Sequence, residues 1–391
     1  MTMCAPTTTQ ELRDVIADAL HTGRRLEIRG GGSKANIGAP REATILDMRG
    51  YCGVIDYDPR ELILTARAGT PLAEIDTLLA TENQMLAFEP WDHGALFGRS
   101  IGTATIGGIV AAGVSGPRRL SLGAARDHFL GFEAVSGRAE HFVAGGKVIK
   151  NVTGYDLPKL MAGSWGRLAA FTQLTLKVLP RPRICVTMTM EGLDVEQAHA
   201  AMACAMASNA EVSAAAHVPA PVNGDRAVTA LRLQGFKPSV QSRCIRLADL
   251  LREHGTLHRL GEFEAQSFWD AVRHVAPLAD GRPLWRVHVP PSSACSLIAM
   301  LEPLGARWLI DWAGGLVWLT FDGDPGTLRQ TAQDAGGYAT LVRAPKELRA
   351  VIPMQHPRPR GVMALEARVR RAFDPSGVFE SGRFLDHNDA N

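Results

Sequence analysis

The segment RGGGSK, from Arg29 to Lys34, directly follows the strand-like residues Leu26 and Ile28. Three consecutive glycines allow the backbone to turn its N–H groups toward one point, and such a nest of N–H groups binds anionic oxygen. Ser33 adds a hydroxyl donor and Lys34 adds a positive charge. The spacing matches neither a P-loop nor a Rossmann fingerprint. RGGGSK is therefore either a phosphate-binding loop of another type or a flexible turn.

Two further glycine-rich segments follow along the chain. Residues 105–131 read TIGGIVAAGVSGPRRLSLGAARDHFLG, and residues 145–182 read GGKVIKNVTGYDLPKLMAGSWGRLAAFTQLTLKVLPRP. Small residues let a helix approach a flat ligand closely, but they also allow tight packing of the helix on its neighbours. Each segment alone is compatible with either interpretation.

The cysteines and histidines do not form a metal-binding pattern in the sequence. The 6 cysteines are far apart and include no Cys-x-x-Cys pair, which argues against an iron–sulfur site, a zinc site and a secreted disulfide framework. His254 and His258 stand four apart, as zinc ligands on a helix can, but Gly255 lies between them without a nearby carboxylate signature. We expect a surface pair of histidines and no metal site.

Composition and charge exclude several classes of partner. Lys plus Arg number 42 and Asp plus Glu number 40, so that the net charge is +2, far from the basic character of nucleic-acid-binding proteins. The first residues lack a basic start followed by an apolar run, and no apolar stretch approaches about 18 residues. We expect no nucleic acid, a cytoplasmic location, and membrane contact only through a partner.

Apolar spacing predicts the elements that hold these segments. The first part of the chain reads as a small α/β unit, in which Leu12 and Ile16 mark a helix and Thr70-Pro71 precedes another. The strand FTQLTLKVLP and the linker Arg181-Pro182 follow. Strands such as LWRVHV, and a hairpin predicted to turn at Gly314-Gly315, indicate an antiparallel α+β domain from about 184 to 345.

Taken together and in this order, the three glycine-rich segments resemble the FAD-binding domain of the family of vanillyl-alcohol oxidase and p-cresol methylhydroxylase. RGGGSK is similar to the pyrophosphate loop of that family, TIGG with AAGVSGPRR to the segment that lines the adenine and pyrophosphate, and KN-x-x-GYD-x-x-KL-x-x-GS-x-G to its third signature. The resemblance covers about residues 10–182 and returns in the tail sequence GVFESGR. The fragments LTARAGTPLAEI, SGPRR, LWRVHVPPS and WLIDWAGGLVWL look most like the FAD-binding subunits of bacterial glycolate oxidases.

This resemblance implies an α+β fold with a PCMH-type (p-cresol methylhydroxylase type) FAD-binding domain of two subdomains and an antiparallel α+β cap domain. The expected boundaries are 1–182 for the FAD-binding domain, with subdomains of about 1–85 and 86–182, then 183–350 for the cap and 351–391 for a tail that returns to the FAD-binding domain. The cofactor-binding residues that it implies are Arg29, Gly30, Gly31, Gly32, Ser33, Lys34, Pro90, Thr105, Gly107, Gly108, Gly113, Ser115, Gly116, Arg118, Gly123, Asp127, Lys150, Asn151, Gly154, Tyr155 and Arg383. His93 is a candidate for covalent attachment, but RGGGSK has no histidine, and we expect non-covalent FAD.

Two departures from the catalytic relatives bear on function. Those enzymes carry GSEGTLG, whereas this chain has GSWGRLA with Trp165 and Arg167, and their histidine-rich metal-associated stretch GHxGDGNxH does not occur here. The resemblance therefore implies a subunit of a complex that oxidises glycolate, or D-lactate, to the 2-oxo acid. It also implies a separate catalytic FAD subunit and an iron–sulfur subunit that receives the electrons.

The remaining catalytic candidates are Arg286 and His288, which share one face of the strand LWRVHV. Oxidation of a 2-hydroxy acid needs a cation for the carboxylate and a base near the hydroxyl, roles that these two side chains can fill. The alternative is a solvated sheet face. Two other functions stay open at this point: a self-sufficient FAD-dependent hydroxy-acid or alcohol dehydrogenase that uses this pair, and a structural subunit that has lost FAD.

Overall fold

The computed structural model describes residues 2–147 and 154–385. Within these ranges the chain forms two compact units. Unit 1 comprises residues of Met1–Ser115, Gly123–Arg181 and Pro357–Asn391, and unit 2 comprises Gly116–Leu122 and Pro182–His356.

The strands of unit 1 come first along the chain. They are β1 (Met3–Cys4), β2 (Leu26–Arg29), β3 (Thr44–Asp47), β4 (Val54–Asp58), β5 (Ile63–Arg67), β6 (Gln84–Met85), β7 (Phe129–Ser136), β8 (His141–Gly145), β9 (Ala169–Lys177) and β10 (Leu179–Pro180). The strands of unit 2 are β11 (Ile184–Glu191), β12 (Ala214–Val218), β13 (Val228–Gly235), β14 (His258–Arg259), β15 (Leu284–His288), β16 (Arg307–Asp311), β17 (Leu316–Thr320) and β18 (Tyr338–Arg343).

Helices of both units connect these strands. They are α1 (Thr9–Thr22), α2 (Leu72–Thr81), α3 (Ile106–Ala112), α4 (Arg119–Leu122), α5 (Ala125–His128), α6 (Leu157–Met161), α7 (Val195–Met206), α8 (Ala220–Asn223), α9 (Lys237–Leu250), α10 (Glu262–His274), α11 (Ala294–Leu301), α12 (Pro325–Asp334), α13 (Lys346–Val351) and α14 (Arg360–Phe373).

Helix α1 confirms the helix predicted from apolar spacing. Thr8 Oγ1 accepts a hydrogen bond from Glu11 N at 3.2 Å and begins the helix. Gly23 ends it with φ of 69°, a left-handed conformation that glycine adopts without steric cost. Leu12 and Ile16, four residues apart, are fully buried, and each contributes about 1.5–3 kcal/mol through loss of water contact.

Unit 1 contains a three-stranded parallel sheet, a five-stranded antiparallel sheet and a short antiparallel pair of β6 with β10. The parallel sheet has the strand order β1-β3-β2 and ends at the glycine loop, because that loop directly follows β2. The antiparallel sheet has the order β4-β5-β9-β7-β8, with β9 at its centre as the strand predicted from FTQLTLKVLP. Thr65 and Thr175 of adjacent strands share a buried hydrogen bond of 3.0 Å. The two sheets place the glycine loop at the carboxyl end of a buried strand.

The C-terminal tail packs into the core of unit 1. Val378 and Phe379 lie in one apolar cluster with Leu12 and Leu26. Asp374 holds the turn, because its carboxylate accepts hydrogen bonds of 2.8 Å from Val378 N and Phe379 N. This packing brings the residues that follow Phe379 to the glycine loop.

Unit 2 is built on one antiparallel sheet with the strand order β14-β11-β13-β12-β16-β17-β15-β18. Apolar residues of α7, α9, α11 and α12 pack with this sheet in a single core cluster. The predicted hairpin is confirmed, since Asp311 pairs with Leu316 across the turn at Gly314-Gly315. Unit 2 is therefore an antiparallel α+β unit.

The segment Gly116–Leu122 belongs to unit 2, although the glycine-rich sequence around it was assigned to the FAD-binding domain. Trp312 Nε1 donates a hydrogen bond to Gly116 O at 3.1 Å. Ser121 Oγ donates another to Ser213 O at 3.1 Å. These long-range bonds leave no signal in the local sequence.

Candidate functional site

The glycine loop after β2 accepts no larger residue at two of its positions. A Cβ added to Gly30 would overlap Thr105 Oγ1, and a Cβ added to Gly31 would overlap the carbonyl oxygen of Thr103. Gly32 has φ of 77°, in the left-handed region that favours glycine. The glycines therefore permit close contact between the loop and the segment that precedes α3.

The amides of this loop have no acceptor within the part of the chain that the structure describes. Gly31 N, Gly32 N, Ser33 N and Lys34 N donate no hydrogen bond to backbone or side-chain atoms there. Consecutive backbone N–H groups without protein partners can bind anionic oxygen.

Lys34 carries the positive charge of the loop and forms no ion pair with any described residue. Its Nζ donates a 3.3 Å hydrogen bond to the buried Ser33 Oγ. Burial lowers the pKa of Lys34 to about 8; the charge of Asp92 opposes this lowering and that of Arg383 adds to it. A bound anion would stabilise the charged form of Lys34, which burial disfavours.

Three arginines around one buried carboxylate support the loop from the protein side. Glu27 Oε2 accepts from Arg41 Nε at 2.6 Å, and Glu27 Oε1 accepts from Arg383 Nη2 and Arg29 Nη2 at 3.0 Å each. Burial raises the pKa of Glu27, but the Arg41 hydrogen bond and the arginine charges outweigh it, so that the pKa is lowered. This cluster carries net positive charge next to the loop.

Arg383 connects the C-terminal tail to the same loop. Its Nη1 donates to Lys34 O at 3.0 Å and to Ile37 O at 2.8 Å. Burial and the neighbouring Arg41 lower the pKa of Arg383 to about 9. Arg383 thus holds two carbonyl groups of the loop while it pairs with Glu27.

Asp92 fixes the segment on the opposite side of the loop. Its Oδ2 accepts hydrogen bonds from Gly102 N, Thr103 N and Ala104 N at 2.9–3.0 Å. Thr105 then caps α3 by accepting from Gly108 N at 3.4 Å. Asp92 therefore positions the backbone that touches Gly31.

These elements line a cleft within unit 1. Its lining residues are Glu27, Ile28, Arg29, Gly30, Gly31, Gly32, Ser33, Lys34, Ala35, Met48, Ala68, Thr105, Gly107, Gly108, Ala111, Ala112, Trp165, Gly166, Ala169, Phe171 and Arg383. Unpaired amides and a cation lie at one part of this lining, and aromatic and aliphatic side chains form the rest. The donor set fits a ligand with a diphosphate and a flat apolar portion, as FAD has.

Some of the residues predicted to contact FAD line this cleft together. They are Arg29, Gly30, Gly31, Gly32, Ser33, Lys34, Thr105, Gly107, Gly108 and Arg383.

The other predicted contacts lie elsewhere in the described chain and stay predictions. Pro90, Gly113, Ser115, Gly123, Asp127, Gly154 and Tyr155 belong to unit 1 without lining the cleft. Gly116 and Arg118 belong to unit 2, where Arg118 Nε donates to Gln234 Oε1 at 3.1 Å. Tyr155 is 92% exposed. Lys150 and Asn151 lie outside the described residues.

Sequence analysis missed Glu27, Arg41 and Asp92 as parts of this site. A carboxylate inside the otherwise apolar start of β2 was the available signal for Glu27. The two substituted residues of the GSWGRLA signature have defined positions in unit 1, since Trp165 lines the cleft with φ of 57° and Arg167 Nη2 pairs with Glu380 Oε2 at 2.9 Å. The signature GSWGRLA, with both substituted residues, is therefore part of the packed structure of unit 1.

The histidines considered as ligands have other surroundings. His93 is buried and stacks on Trp91 with ring centroids 3.8 Å apart. His258 is exposed and His254 is half-buried. No group of three or more potential metal ligands occurs among residues 2–147 and 154–385.

Arg286 and His288 do share a face of β15, as alternation predicts. Both are half-buried in unit 2, whereas Trp285 and Val287 between them belong to the core. Their surroundings are aromatic, because His288 stacks on Tyr338 with ring centroids 4.9 Å apart. Their catalytic roles stay a prediction.

No helix among the described residues is both long enough and apolar enough to cross a membrane.

Comparisons with known proteins identify the family. Residues 2–145 match the FAD binding domain family. The chain is 34% identical over 380 residues to glycolate oxidase subunit GlcE of Escherichia coli (strain K12), covering 96% of each protein. It is 27% identical over 268 residues to glycolate oxidase subunit GlcD of the same organism, covering 64% of this chain and 52% of GlcD.

The solved structure of p-cresol methylhydroxylase with bound substrate has the same fold, with a TM-score of 0.72 at 13% identity, covering 99% of this chain and 89% of that one. The predicted α+β fold of the p-cresol methylhydroxylase type and the predicted FAD cofactor are thus confirmed. The chain belongs to the family of FAD-binding oxidoreductase subunits that includes glycolate oxidase subunit GlcE.

Proposed function

We propose that this chain is the FAD-binding subunit of a complex that oxidises glycolate, or D-lactate, to the corresponding 2-oxo acid. The observation that carries the proposal is the glycine loop, whose amides from Gly31 to Lys34 have no acceptor among the described residues. Similarity to a glycolate oxidase subunit along 96% of the chain supplies the reaction class.

Different residues of the unit 1 cleft hold different parts of FAD. The loop amides and the Lys34 ammonium bind the diphosphate, and Arg383 keeps the loop in place through Lys34 O and Ile37 O. Trp165 and Phe171 offer apolar surface to the flat part of the molecule. Bound FAD supplies the chemistry of accepting a hydride and passing electrons onward.

The electrons need partners that this chain does not replace. The cysteines Cys4, Cys52, Cys185, Cys204, Cys244 and Cys295 are free, and the described residues contain no cluster of three or more potential metal ligands. An iron–sulfur subunit and a catalytic FAD subunit complete the proposed complex. The GlcD-like relatives are the templates for the catalytic FAD subunit. Attachment to a membrane is then indirect, through the complex.

A single methyl group in the glycine loop tests the FAD site. Gly31→Ala places a Cβ onto the carbonyl oxygen of Thr103, so that the loop must move and its amides lose their arrangement. We expect the purified variant to retain less than a tenth of the wild-type flavin, measured by absorbance of the released cofactor. The matched control is Gly361→Ala, because a Cβ at Gly361 meets nothing within 4 Å.

Equal flavin content in Gly31→Ala and wild type would contradict the proposed cofactor site. A colourless wild-type protein that takes up no added FAD would instead support a structural subunit that has lost FAD.

A self-sufficient dehydrogenase is the second candidate function, because Arg286 forms no ion pair with a described residue and is free to bind a substrate carboxylate. Anaerobic bleaching of the flavin by glycolate or D-lactate in the isolated chain would favour this candidate. Turnover only after addition of the partner subunits would favour the complex.

A further inference from the structure

Trp165 brings an indole ring into the unit 1 cleft, at the position where the signature of the catalytic relatives has Glu. Its side chain is half-buried and lines the cleft together with the glycine loop and with Ala111 and Ala112 of α3. A carboxylate at this position could accept hydrogen bonds but would offer no flat surface, whereas an indole offers a broad apolar face. The substitution therefore changes what this part of the cleft can bind.

The backbone at Trp165 has a conformation that bulky residues rarely adopt. Its φ is 57°, in the left-handed region, and Gly166 follows with φ of 76°. Trp165 N donates a hydrogen bond of 2.7 Å to Ala111 O, which attaches this turn to α3. Strained backbone persists where the surrounding contacts enforce it, and it clusters at ligand sites. The turn thus fixes the direction in which the indole leaves the backbone.

The C-terminal tail holds the indole ring itself. The guanidinium carbon of Arg383 lies 5.5 Å from the centroid of the Trp165 ring, within the range of a cation–π interaction. Phe384 meets the indole edge-on, with ring centroids 6.3 Å apart and an interplanar angle of 79°. Arg167, the second substituted residue, places its guanidinium carbon 4.5 Å from the Phe384 ring centroid and pairs with Glu380. These side chains order the ring before a ligand binds, which lowers the entropy lost on binding.

Arg383 also relates the indole to the amides proposed to bind the diphosphate. Its Nη1 donates to Lys34 O at 3.0 Å while the same guanidinium lies over the Trp165 ring. The indole is therefore separated from the glycine loop by one guanidinium group. In FAD a single ribose separates adenine from the diphosphate, whereas the longer ribityl chain separates the isoalloxazine from it. Adenine is consequently the flat group of FAD that reaches Trp165 over the shorter distance.

We propose that Trp165 binds the adenine ring of FAD by stacking and thereby selects FAD over flavin mononucleotide (FMN), which lacks adenine. An aromatic side chain is suited to this role, because every base has a flat π-face on which it can stack. The proposal rests on the proposed FAD-binding function of unit 1. It adds to that function a residue that decides which flavin is retained.

ADP and inorganic pyrophosphate separate the adenine contact from the diphosphate contact when each is titrated by calorimetry into the flavin-free full-length protein. Trp165→Asn removes the ring, and asparagine accepts a left-handed φ better than most residues. We expect the Kd for ADP to rise at least about fivefold, the effect of losing one base-stacking contact, and the Kd for pyrophosphate to stay unchanged. Trp165→Phe, which keeps an aromatic ring, should give an intermediate Kd for ADP.

Flavin selectivity should change in the same direction. The ratio of the Kd for FMN to the Kd for FAD should fall in Trp165→Asn by the same factor by which ADP binding weakens, because FMN makes no adenine contact in either protein.

Phe236→Ala is the matched control. Phe236 is 64% exposed and lies in unit 2, where the guanidinium carbon of Arg183 is 5.2 Å from its ring centroid. This variant should bind ADP as wild type does. Gly31→Ala should weaken the binding of both ADP and pyrophosphate, because a Cβ at Gly31 displaces the loop. Failure of the proposed FAD site thus concerns both ligands, whereas failure of the Trp165 proposal concerns ADP alone.

The proposal is overturned if Trp165→Asn binds ADP as wild type does, or if its binding of pyrophosphate weakens by the same factor as its binding of ADP. Unchanged ADP affinity together with brighter fluorescence of bound FAD in Trp165→Asn would assign the indole to the isoalloxazine instead, and would also overturn it.

Discussion

At the scale of single residues, Lys34 is a side chain whose charge should depend on a bound anion. Its ammonium is half-buried, donates to Ser33 Oγ, and feels both Asp92 and Arg383. Burial lowers its pKa to about 8, so that at neutral pH the ammonium is still charged and a bound anion would stabilise that charge further.

FAD affinity should therefore depend on pH through Lys34. The pKa of Lys34 is about 8 without ligand, and a bound diphosphate raises it. Binding is then strongest below pH 8 and weakens as pH rises from 8 to the pKa of the complex, by up to about tenfold per pH unit. FAD titrations followed by flavin fluorescence between pH 7 and 10 measure this slope.

Lys34→Met should bind FAD more weakly at pH 7 and show no such slope above pH 8. A wild-type affinity that is constant across this range would mean that Lys34 does not contact the diphosphate.

At the scale of elements, the C-terminal tail holds the glycine loop in position. The turn held by Asp374 places Val378 and Phe379 in the core beside α1, and Arg383 then reaches the loop. Removal of this anchor should affect both stability and cofactor retention, because Arg383 of the described part of the tail lines the cleft.

Phe379→Ala should lower the free energy of unfolding of unit 1 by about 3 kcal/mol, because a large side chain that is 3% exposed leaves a cavity. Urea unfolding and flavin content of the purified variant measure the two effects. Phe263→Ala, at a side chain that is 82% exposed, serves as the control and should change neither. A stable Phe379→Ala protein with full flavin content would show that the tail is not an anchor.

At the scale of the whole molecule, each unit contains an apolar core among its described residues. One core joins α1, β2 and the tail, and the other joins the sheet of unit 2 with its helices. A ligand of the cleft in unit 1 should accordingly stabilise unit 1.

FAD should shift only the unfolding transition of unit 1 in calorimetry. Saturation to 100 times the Kd stabilises the binding unit by about 2.7 kcal/mol, and the transition of unit 2 should stay in place. A single transition that moves as a whole with FAD would contradict independent stabilisation.

The sequence by itself determined the features that depend on neighbouring residues. Glycines at Gly30, Gly31 and Gly32, the period of α1, the alternation of Arg286 with His288, and the turn at Gly314-Gly315 all follow from local sterics and side-chain periodicity. The ordered set of glycine-rich segments was enough to predict the fold class and FAD.

Tertiary structure alone decided the contacts between distant residues. Glu27 pairs with Arg383, 356 residues away, and Trp312 holds Gly116, 196 residues away. Such pairs depend on how the chain returns to itself, and the free energy of a buried charge cluster is set by partners that leave no periodic trace along the sequence. Local rules therefore predict candidate residues for binding a diphosphate, and only the folded chain shows what holds these residues in place.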